Sequence, residues 1–416
     1  MTPTVAYLAN QFPSPVEPYV ADEIRELRRH GITVIPCSAR IASTALHPDL
    51  KAFGAETLYL QPLRLDLIIR AVFLCVLKFP LLKDFFDRAL RQGNEPLCRR
   101  LRAVLHTWLG VYYALVIKRF HAEHIHVHHG YFSSWIAMVA AQLLGIDFSM
   151  TLHGSDLLLH RAYLDIKLKR CSFCVTISEF NRQHILEQHP EIEPAKIVVR
   201  RMGVEPAGVQ IRGLGAGPLS MLSVGRLHPV KDHDFLVRGC RMLKDRNISF
   251  ECLIAGDGPA RASIEELIRD LDLRDEIQLL GHLSREQLDV HYAAAGLVVL
   301  TSRSEGIPLA LMEAMVRGKP VLAPAITGIP ELVQDGENGF LYRPGSLEDF
   351  IAKVELVHDS EAALGPLCQA ARQHVLRGFN REKNLAAFCD LILRQINPSC
   401  IGRITEHPSY ENSLLQ

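Results

Sequence analysis

The sequence predicts an α/β protein made of two doubly wound parallel-sheet domains that face each other across a cleft. Short β-branched runs alternate with longer amphipathic stretches, which is typical of repeated βα units. This alternation occurs twice, on either side of a Gly/Pro-rich segment that ends at Pro218. The length of 416 residues fits two domains of ordinary size. Since ligands bind beyond the carboxyl ends of the strands in such sheets, functional residues are expected in the loops that follow strands.

The elements of the two halves follow from these patterns in chain order. Strands in the first half are predicted at 4–9, 32–37, 124–128, 148–152, 174–178 and 197–199, with helices near 17–30 and from Ser133. Strands in the second half are predicted at 219–224, 250–255, 277–280, 297–301, 320–323 and 340–342, separated by helical patterns.

Domain boundaries follow from the positions of these elements. We predict an N-terminal domain at 1–205, a linker at 206–218 and a C-terminal domain at 219–380. A helix at 381–396 is expected to pack back on the N-terminal domain. The tail at 397–416 has no periodicity and is expected to be flexible.

Composition excludes several classes of protein. The 46 basic residues balance the 46 acidic ones, whereas a dedicated nucleic-acid binder usually carries a basic excess, so no nucleic-acid partner is expected. No apolar run reaches the length of a membrane-spanning helix, and the N-terminus lacks the basic region of a secretory signal. Ten scattered cysteines indicate buried thiols in a reducing compartment, so a cytoplasmic protein is expected.

Four loops at strand ends in the second half carry glycines where the backbone turns or approaches a ligand. They are Gly225-Arg-Leu-His-Pro-Val-Lys231, Gly256-Asp-Gly-Pro259, Gly281-His282 and Ser302-Arg-Ser-Glu-Gly-Ile-Pro308. Any one of them is compatible with an ordinary turn between a strand and a helix. Their recurrence in one sheet favours a ligand site.

The stretch from Glu305 to Glu313 (EGIPLALME) is the most informative of these. Pro308 suits the first position of a helix, which would leave the amides of Leu309 and Ala310 free to bind an anion. A carboxylate at Glu313 could accept hydrogen bonds from a vicinal diol such as a ribose. The alternative is a surface acid pair beside a capped helix.

Two cations in the first of these loops supply what an anion at that helix end would need. Arg226 offers a planar fork for phosphate oxygens, and Lys231 offers a compact point charge. The alternative interpretation is that both are ordinary solvated surface cations.

These motifs occur in a fixed order over most of residues 219–350. Val224-Gly-Arg-Leu with Lys231, Ala255-Gly-Asp-Gly-Pro, Leu280-Gly-His and Glu305-Gly-Ile-Pro-x-x-x-x-Glu313 are followed by Thr327-Gly-Ile-Pro-Glu331 and Asp335-Gly-Glu-Asn-Gly339. The chain thereby resembles the retaining, GT-B-type glycosyltransferases of family 4, also called glycosyl transferases group 1. The start of the chain, Phe12-Pro13 with Glu17, is similar to the exopolysaccharide (colanic-acid-type) branch. Asp232 departs from the pattern, because a glycine usually follows the lysine.

The resemblance implies a role for each matching residue. Arg226 and Lys231 would hold the donor diphosphate, Gly281-His282 would meet the base, and Glu313 would bind the ribose. Glu305 and the amides from Gly306 onward would face the donor sugar and phosphate, and His153 would approach the sugar from the first domain. The donor site then comprises Gly225, Arg226, Lys231, Gly256, Gly281, His282, Glu305, Gly306, Ile307, Pro308, Leu309 and Glu313. The residues expected to act in catalysis are Glu305, His153, Lys231 and Arg226, and the acceptor-side candidates are Phe12, Glu17, His128 and Asp156.

The expected activity is therefore transfer of a sugar from a nucleotide diphosphate to a glycan or lipid-linked glycan, with retention and without metal or cofactor. A uridine diphosphate sugar is the expected donor. A preorganised Arg, Lys and helix N-terminus could stabilise the departing phosphate without a metal. Two alternatives stay open: a nucleotide-sugar epimerase of the same architecture, and a binding protein without turnover.

Two other motifs are weighed as metal or redox sites. His124, His126 and His128 share one strand face, and Cys171 and Cys174 are spaced as CxxC. The histidines lack an obvious Cys or acid cluster, and the cysteines lack a second pair. Packed histidines and structural thiols are the expected interpretations.

A helical insertion is predicted at 64–120. Its part at 64–102 contains an apolar run too short to span a bilayer, with nine Lys/Arg against four Asp/Glu. An interfacial helix on an anionic membrane, at the inner face of the cell membrane, would have this pattern. A helical hairpin packed on the first domain would have it too, and the sequence does not separate the two.

Overall fold

The structure is a computed structural model of the chain, and it describes residues 3–14, 17–41, 48–92, 95–158, 162–208, 217–359 and 361–396. The chain divides into two compact units. The first comprises Met1–Thr176, Leu186–Arg200 and Leu385–Gln416, and the second comprises Ile177–Ile185 and Arg201–Asn384. Most of the predicted linker and the whole predicted tail, 397–416, lie outside the described residues.

The first unit contains a seven-stranded parallel sheet. Its strands are β1 (Thr4–Gln11), β2 (Thr33–Arg40), β3 (Leu58–Tyr59), β4 (His124–His128), β5 (Asp147–Leu152), β6 (Cys174–Thr176) and β7 (Ile197–Val199). Their order across the sheet is β3-β2-β1-β4-β5-β6-β7. The direction of the order therefore reverses between β1 and β4, which is the switch point where such sheets bind ligands.

The helices in this part of the chain are α1 (Pro18–Arg29), α2 (Pro48–Glu56), α3 (Leu65–Leu77), α4 (Phe79–Leu90), α5 (Leu97–Ile117), α6 (Phe132–Leu144), α7 (Ser155–Leu158), α8 (Leu164–Arg170) and α9 (Glu179–Gln188). Helix α1 places Val20, Ile24 and Leu27 on one buried face, as the helical spacing predicts. The insertion predicted at 64–120 is helical and forms α3, α4 and α5.

The second unit contains a six-stranded parallel sheet. Its strands are β8 (Leu219–Val224), β9 (Phe250–Ala255), β10 (Ile277–Gly281), β11 (Leu297–Val299), β12 (Val321–Pro324) and β13 (Phe340–Tyr342). The order is β10-β9-β8-β11-β12-β13, so the switch point lies between β8 and β11. The prediction of two parallel sheets is confirmed. Strand β11 ends two residues earlier than predicted, because Thr301 already belongs to the loop that builds the site.

The remaining helices are α10 (His233–Asp245), α11 (Arg261–Asp270), α12 (Arg285–Ala294), α13 (Leu309–Val316), α14 (Ile329–Leu332), α15 (Leu347–Asp359), α16 (Glu361–Gly378) and α17 (Arg381–Ile396). Phe388, Cys389 and Ile392 of α17 belong to the buried core of the first unit, together with Val20 and Ile24 of α1.

Most of the cysteines in the described residues are buried, but Cys98 is exposed and Cys75 is half-buried, contrary to the expectation of buried thiols. Both cysteines lie in the helical insertion, in α3 and α5. None of the described helices has the length and the apolar character that crossing a bilayer requires.

Candidate active site

The four glycine-containing loops of the second unit meet at one edge of its sheet. Because parallel strands β8, β9, β10 and β11 are neighbours, the loops that follow them share the same end. Backbone hydrogen bonds join these loops: the amide of Gly225 donates to Ala255, that of Leu227 to Asp257, and that of Gly256 to Gly281. These hydrogen bonds join loops that are far apart in the chain into one edge of the sheet.

Lys231 and Glu305 form the central contact of this edge. Lys231 Nζ donates to Glu305 Oε1 at 2.5 Å, and Ser302 Oγ donates to the same oxygen at 2.6 Å. The side chains of Lys231 and Glu305 are 24% and 12% exposed, so both are accessible to a ligand while mostly shielded from water. They follow β8 and β11, so they lie on the two sides of the switch point.

Further contacts hold the Lys231 loop against the Glu305 loop. Thr301 Oγ1 donates to the carbonyl oxygen of Lys231 at 3.0 Å, and the amide of Arg303 donates to Val230 at 2.8 Å. The Arg303 guanidinium also makes two hydrogen bonds to Asp232, at 2.7 and 2.9 Å. Asp232 has a φ of 51°, a left-handed conformation that glycine adopts most easily and that Asp tolerates. Asp232, which stands where the family pattern has a glycine, therefore adds an ion pair between the two loops.

Helix α13 begins beside Glu305. Its first helical residue is Leu309, and Pro308 is the N-cap with a φ of −76° and a ψ of 122°, so the prediction that Pro308 opens the helix is wrong by one residue. The proline ring fixes φ but leaves ψ extended, which is the usual conformation of a cap. The amides of Leu309 and Ala310 lie in the first turn, where the helix itself offers no acceptor.

The turn before α13 is packed tightly against a neighbouring loop. Thr327 Oγ1 donates to the carbonyl oxygen of Glu305 at 2.6 Å. A Cβ on Gly328 would lie 2.5 Å from the carbonyl oxygen of Gly306, so glycine is required there. These contacts fix the direction of the amides from Gly306 onward.

The remaining donor-side candidates differ in burial. Glu313 accepts a hydrogen bond from the Tyr292 hydroxyl at 3.0 Å, and burial raises the pKa of its carboxyl group. Arg226 and His282 are exposed, and Arg226 has no carboxylate partner within the described ranges. An exposed arginine without such a partner is available for an incoming anion.

Replacing Gly256 by alanine should destabilise the second unit by about 2 kcal/mol or more and weaken ligand binding there. Gly256 has a φ of 146°, and an added Cβ would lie 1.9 Å from the carbonyl oxygen of Gly225. Thermal unfolding of the purified protein measures this loss. Gly378→Ala is the control, because a Cβ there meets nothing within 4 Å. Equal stability of the two variants would contradict the prediction.

The first unit has its own cluster of charged side chains at the β1/β4 switch point. His129, which follows β4, lies 2.9 Å from Glu17 and 3.5 Å from the buried carboxylate of Asp156. Burial opposes a charge on His129, but attraction by Asp156 and Glu17 outweighs it and raises the pKa of His129 to about 10. Asp156 also accepts hydrogen bonds from the amides of Gly130 and Gly154, both at 2.9 Å.

A second chain of hydrogen bonds ends at His153. Tyr7 donates to Glu23, Glu23 contacts His128 Nε2 at 2.8 Å, and His128 Nδ1 lies 3.0 Å from His153 Nε2. His128 Nε2 donates a hydrogen bond to the Glu23 carboxylate, so His128 Nδ1 is the acceptor of a hydrogen bond from His153 Nε2. Burial and the neighbouring charge of His129 lower the pKa of His153, so its ring is neutral.

Three of the four acceptor-side candidates have buried side chains. Phe12 is 1% exposed and packs edge-on against Phe53 in the core, so its side chain cannot meet an acceptor. His128 and Asp156 are also fully buried, where they contact His153 and His129. Glu17, with 23% of its side chain exposed, keeps contact with solvent.

The histidines of β4 have an acidic neighbour, Glu23, that was not predicted. Glu23, His126 and His128 offer ligand atoms within 4.8 Å of one another, the one group of this kind in the part of the chain that is described. Both ring nitrogens of His126 already meet hydroxyls, Ser149 at 2.8 Å and Thr151 at 3.0 Å. Burial lowers the pKa of His126. These contacts account for the cluster as a hydrogen-bonded network, and the predicted absence of a metal stays a prediction.

Sequence reasoning missed Glu23, Ser302 and Tyr292. Glu23 could have been found, because it is a charged residue on the buried face of α1. Ser302 and Tyr292 leave no comparable signal, since their roles depend on the loop conformation and on the packing of α12 against α13.

Comparison with known protein families assigns both halves of the chain. A model described as "Glycosyltransferase Family 4" matches residues 16–207, and one described as "Glycosyl transferases group 1" matches residues 209–374. The amylovoran biosynthesis glycosyltransferase AmsK of Erwinia amylovora is 32% identical over 239 residues, which are 49% of this chain and 59% of that protein. The putative colanic acid biosynthesis glycosyltransferase WcaL of Salmonella typhimurium is 33% identical over 198 residues, 45% of this chain and 49% of that protein. The matches thus span about half the length of these relatives.

Solved structures share the fold over nearly the whole chain. A glycosyltransferase from Rickettsia africae has a TM-score of 0.69 at 20% identity, covering 96% of this chain and 100% of that one. The sucrose-phosphate synthase of Thermosynechococcus elongatus has a TM-score of 0.73 at 18% identity, covering 95% and 100%. At this level of identity the likeness concerns the fold alone, and it confirms the GT-B fold class.

Proposed function

Since the chain belongs to the family 4 (group 1) glycosyltransferases, we propose that it transfers a sugar from a nucleotide diphosphate to a glycan or lipid-linked glycan in exopolysaccharide biosynthesis. Its similarity to relatives named for amylovoran and colanic acid biosynthesis supports this assignment. A uridine diphosphate sugar is the proposed donor. The free thiols among the described cysteines support a reducing compartment, so we propose that the enzyme works in the cytoplasm.

The contact between Lys231 and Glu305 is the observation that carries the proposal. It lies at the switch point of the second sheet, next to the first turn of α13. Glycosyl transfer requires stabilisation of the negative charge that develops on the departing phosphate. Lys231 and the exposed Arg226 supply positive charge from the loop after β8, and the amides of Leu309 and Ala310 supply N–H donors from the start of α13.

The other residues of the second unit are proposed to recognise the rest of the donor. Glu313 would accept hydrogen bonds from the ribose hydroxyls. Its Oε2 already accepts one hydrogen bond, from the Tyr292 hydroxyl. The backbone at Gly281 and His282 would contact the base. Glu305 is bound to Lys231 and Ser302, so we propose that it orients the donor and does not attack it. In the first unit, His153 is the proposed partner of the sugar.

We also propose that transfer retains the anomeric configuration and needs no metal. The positive charge beside the proposed phosphate site comes from Lys231 and Arg226, so a divalent cation is not needed to neutralise the leaving group. A phosphate oxygen of the leaving group would then assist deprotonation of the acceptor.

Incubation of the purified protein with a panel of nucleotide diphosphate sugars tests the reaction. We expect one sugar to be consumed in an acceptor-dependent manner, with a glycoside whose anomeric configuration equals that of the donor. Turnover should persist after dialysis against EDTA. Formation of an epimeric nucleotide sugar would instead identify an epimerase, and binding without product would identify a protein that has lost turnover.

A further inference from the structure

Helices α3, α4 and the first half of α5 form an apolar helical surface, defined here as residues 63–92 and 95–105. Of the sixteen large hydrophobic side chains that are exposed in the described part of the chain, thirteen lie in this segment. The other three, Ile41, Val290 and Leu356, are isolated from one another in sequence. Soluble monomers rarely expose hydrophobic residues in such a concentration, and large exposed patches are typical of interaction surfaces.

Helix α3 supplies the most continuous part of the surface. Its exposed residues recur at helical spacing and are between 52% and 72% exposed: Leu65, Ile69, Val72, Phe73, Val76 and Leu77. The opposite face, with the fully buried Ala71, packs against the rest of the insertion. A helix that is apolar on all sides is normally buried on all sides. Here one apolar face is covered by protein and the other is open.

The surface continues onto the next two helices. Phe79 is 50% exposed at the start of α4. In α5, Leu97, Leu101 and Leu105 recur every fourth residue and are 69%, 57% and 52% exposed. Spacing by four residues places them on one side of the helix.

The charges around this surface are unbalanced in one direction. Each of the four acids at 64–102 has an ion-pair partner: Asp66 with Arg64, Asp84 with Arg170, Asp87 with Arg91 and Glu95 with Arg88. Five of the nine cations make no ion pair with a described residue, namely Arg70, Lys78, Lys83, Arg99 and Arg102. The excess positive charge is therefore available to a negatively charged partner.

We propose that the apolar helical surface docks into the interface of an anionic phospholipid bilayer. Exposed Leu, Ile, Val and Phe side chains beside unpaired Lys and Arg are the combination that lies along such an interface. At a rise of about 1.5 Å per residue, α3 is about 20 Å long, so it lies on the membrane and does not cross it. The proposal goes beyond the transfer reaction, because it concerns where the enzyme works and not its chemistry.

Sedimentation of the full chain with vesicles tests this proposal. We expect binding to phosphatidylcholine vesicles that contain phosphatidylglycerol, and weak binding to phosphatidylcholine alone. The triple variant Arg70→Gln/Lys78→Gln/Lys83→Gln should bind anionic vesicles about 100-fold more weakly, because each cation near such a surface contributes about 1 kcal/mol. The triple variant Ile69→Asn/Phe73→Asn/Val76→Asn should lose binding at all lipid compositions.

A matched control removes exposed apolar side chains elsewhere. The variant Val290→Asn/Leu356→Asn should bind vesicles as the wild type does. Donor consumption in solution should be unchanged in every variant, which separates failure of this proposal from failure of the proposed function. Absence of vesicle binding at low salt would overturn the proposal. A change from dimer to monomer in the Ile69/Phe73/Val76 variant, with vesicle binding retained, would also overturn it and identify a second copy as the partner.

Discussion

Replacement of Lys231 by alanine is expected to reduce sugar transfer by about 10²–10³-fold, the usual effect of removing one preorganised charge-stabilising group. Lys231 is the cation held at the switch point by Glu305 and by the loop after β11. Without it, the departing phosphate loses its most shielded positive partner. The rate of transfer with saturating acceptor measures the effect. Glu305→Ala should cause a loss of similar size, because it frees the Lys231 ammonium from its fixed position.

The fold should survive these changes. Both side chains keep some contact with water, so the free energy of unfolding should fall by only about 1–2 kcal/mol. Lys353→Ala is a matched control in the same unit, since Lys353 also forms a partly exposed ion pair, with Asp335 at 2.7 Å. That variant should transfer at the wild-type rate. A folded Lys231→Ala protein with wild-type turnover would refute the site assignment.

The combined variant adds a second test of the contact. If Lys231 and Glu305 act as one unit, the double alanine variant should lose little more activity than either single variant, because effects of residues in contact do not add. Additive losses would show that the two residues act independently.

The second sheet was predictable because each of its strands is a short apolar run followed by a glycine-containing turn. Parallel strands bring such turns to one edge, so the proximity of Lys231 and Glu305 followed from topology and from the motif order together. Sequence could not show that Glu305 is already bound to Lys231 and Ser302. That contact depends on the conformation of the loop at 300–308, which no periodicity encodes.

The first unit was less predictable for a physical reason. The family resemblance makes His128 and Asp156 acceptor-side candidates, but a polar residue near a strand end can either face a ligand or support a residue that does. Which of the two occurs depends on whether the side chain is buried. That burial is determined by the packing of α1 and by Glu23. A single charged residue on an apolar helix face was the one available signal.

Replacement of Asp156 by alanine should destabilise the first unit by about 3–5 kcal/mol, the effect of leaving a buried charge without its partner. Asp156 is fully buried, pairs with His129 and accepts hydrogen bonds from two backbone amides. Both tryptophans, Trp108 and Trp135, lie in the first unit. Unfolding by denaturant near pH 6, followed by tryptophan fluorescence, therefore reports on this unit specifically.

The stabilisation that Asp156 and His129 provide should depend on pH. The raised pKa of His129 and the lowered pKa of Asp156 determine the direction of this dependence. The pKa of His129 is raised to about 10 in the folded protein, so its contribution is complete below about pH 6.5 and is lost as the pH rises through 10. The pKa of Asp156 is lowered, against its burial, by the bond and charge of His129, so its contribution exists above about pH 4 and disappears in acid. The difference in stability between wild type and Asp156→Ala should therefore be largest between about pH 4 and 6.5.

The control for this prediction is Asp84→Ala in the same unit, which removes an ion pair with Arg170 in which the Asp84 carboxylate side chain is 73% exposed. It should cost less than about 1 kcal/mol and show little dependence on pH. Other groups near the pair also titrate: Lys167 is buried, and burial lowers its pKa to about 7. The charge of Asp156 raises the pKa of Lys167 against its burial, so Lys167 loses its charge at a lower pH in the variant. The comparison therefore isolates the pair above about pH 8, where Lys167 is neutral in both proteins. A stability difference that stays constant from pH 6.5 to 10 would mean that His129 is neutral in the folded protein. That result would refute a buried ion pair between His129 and Asp156.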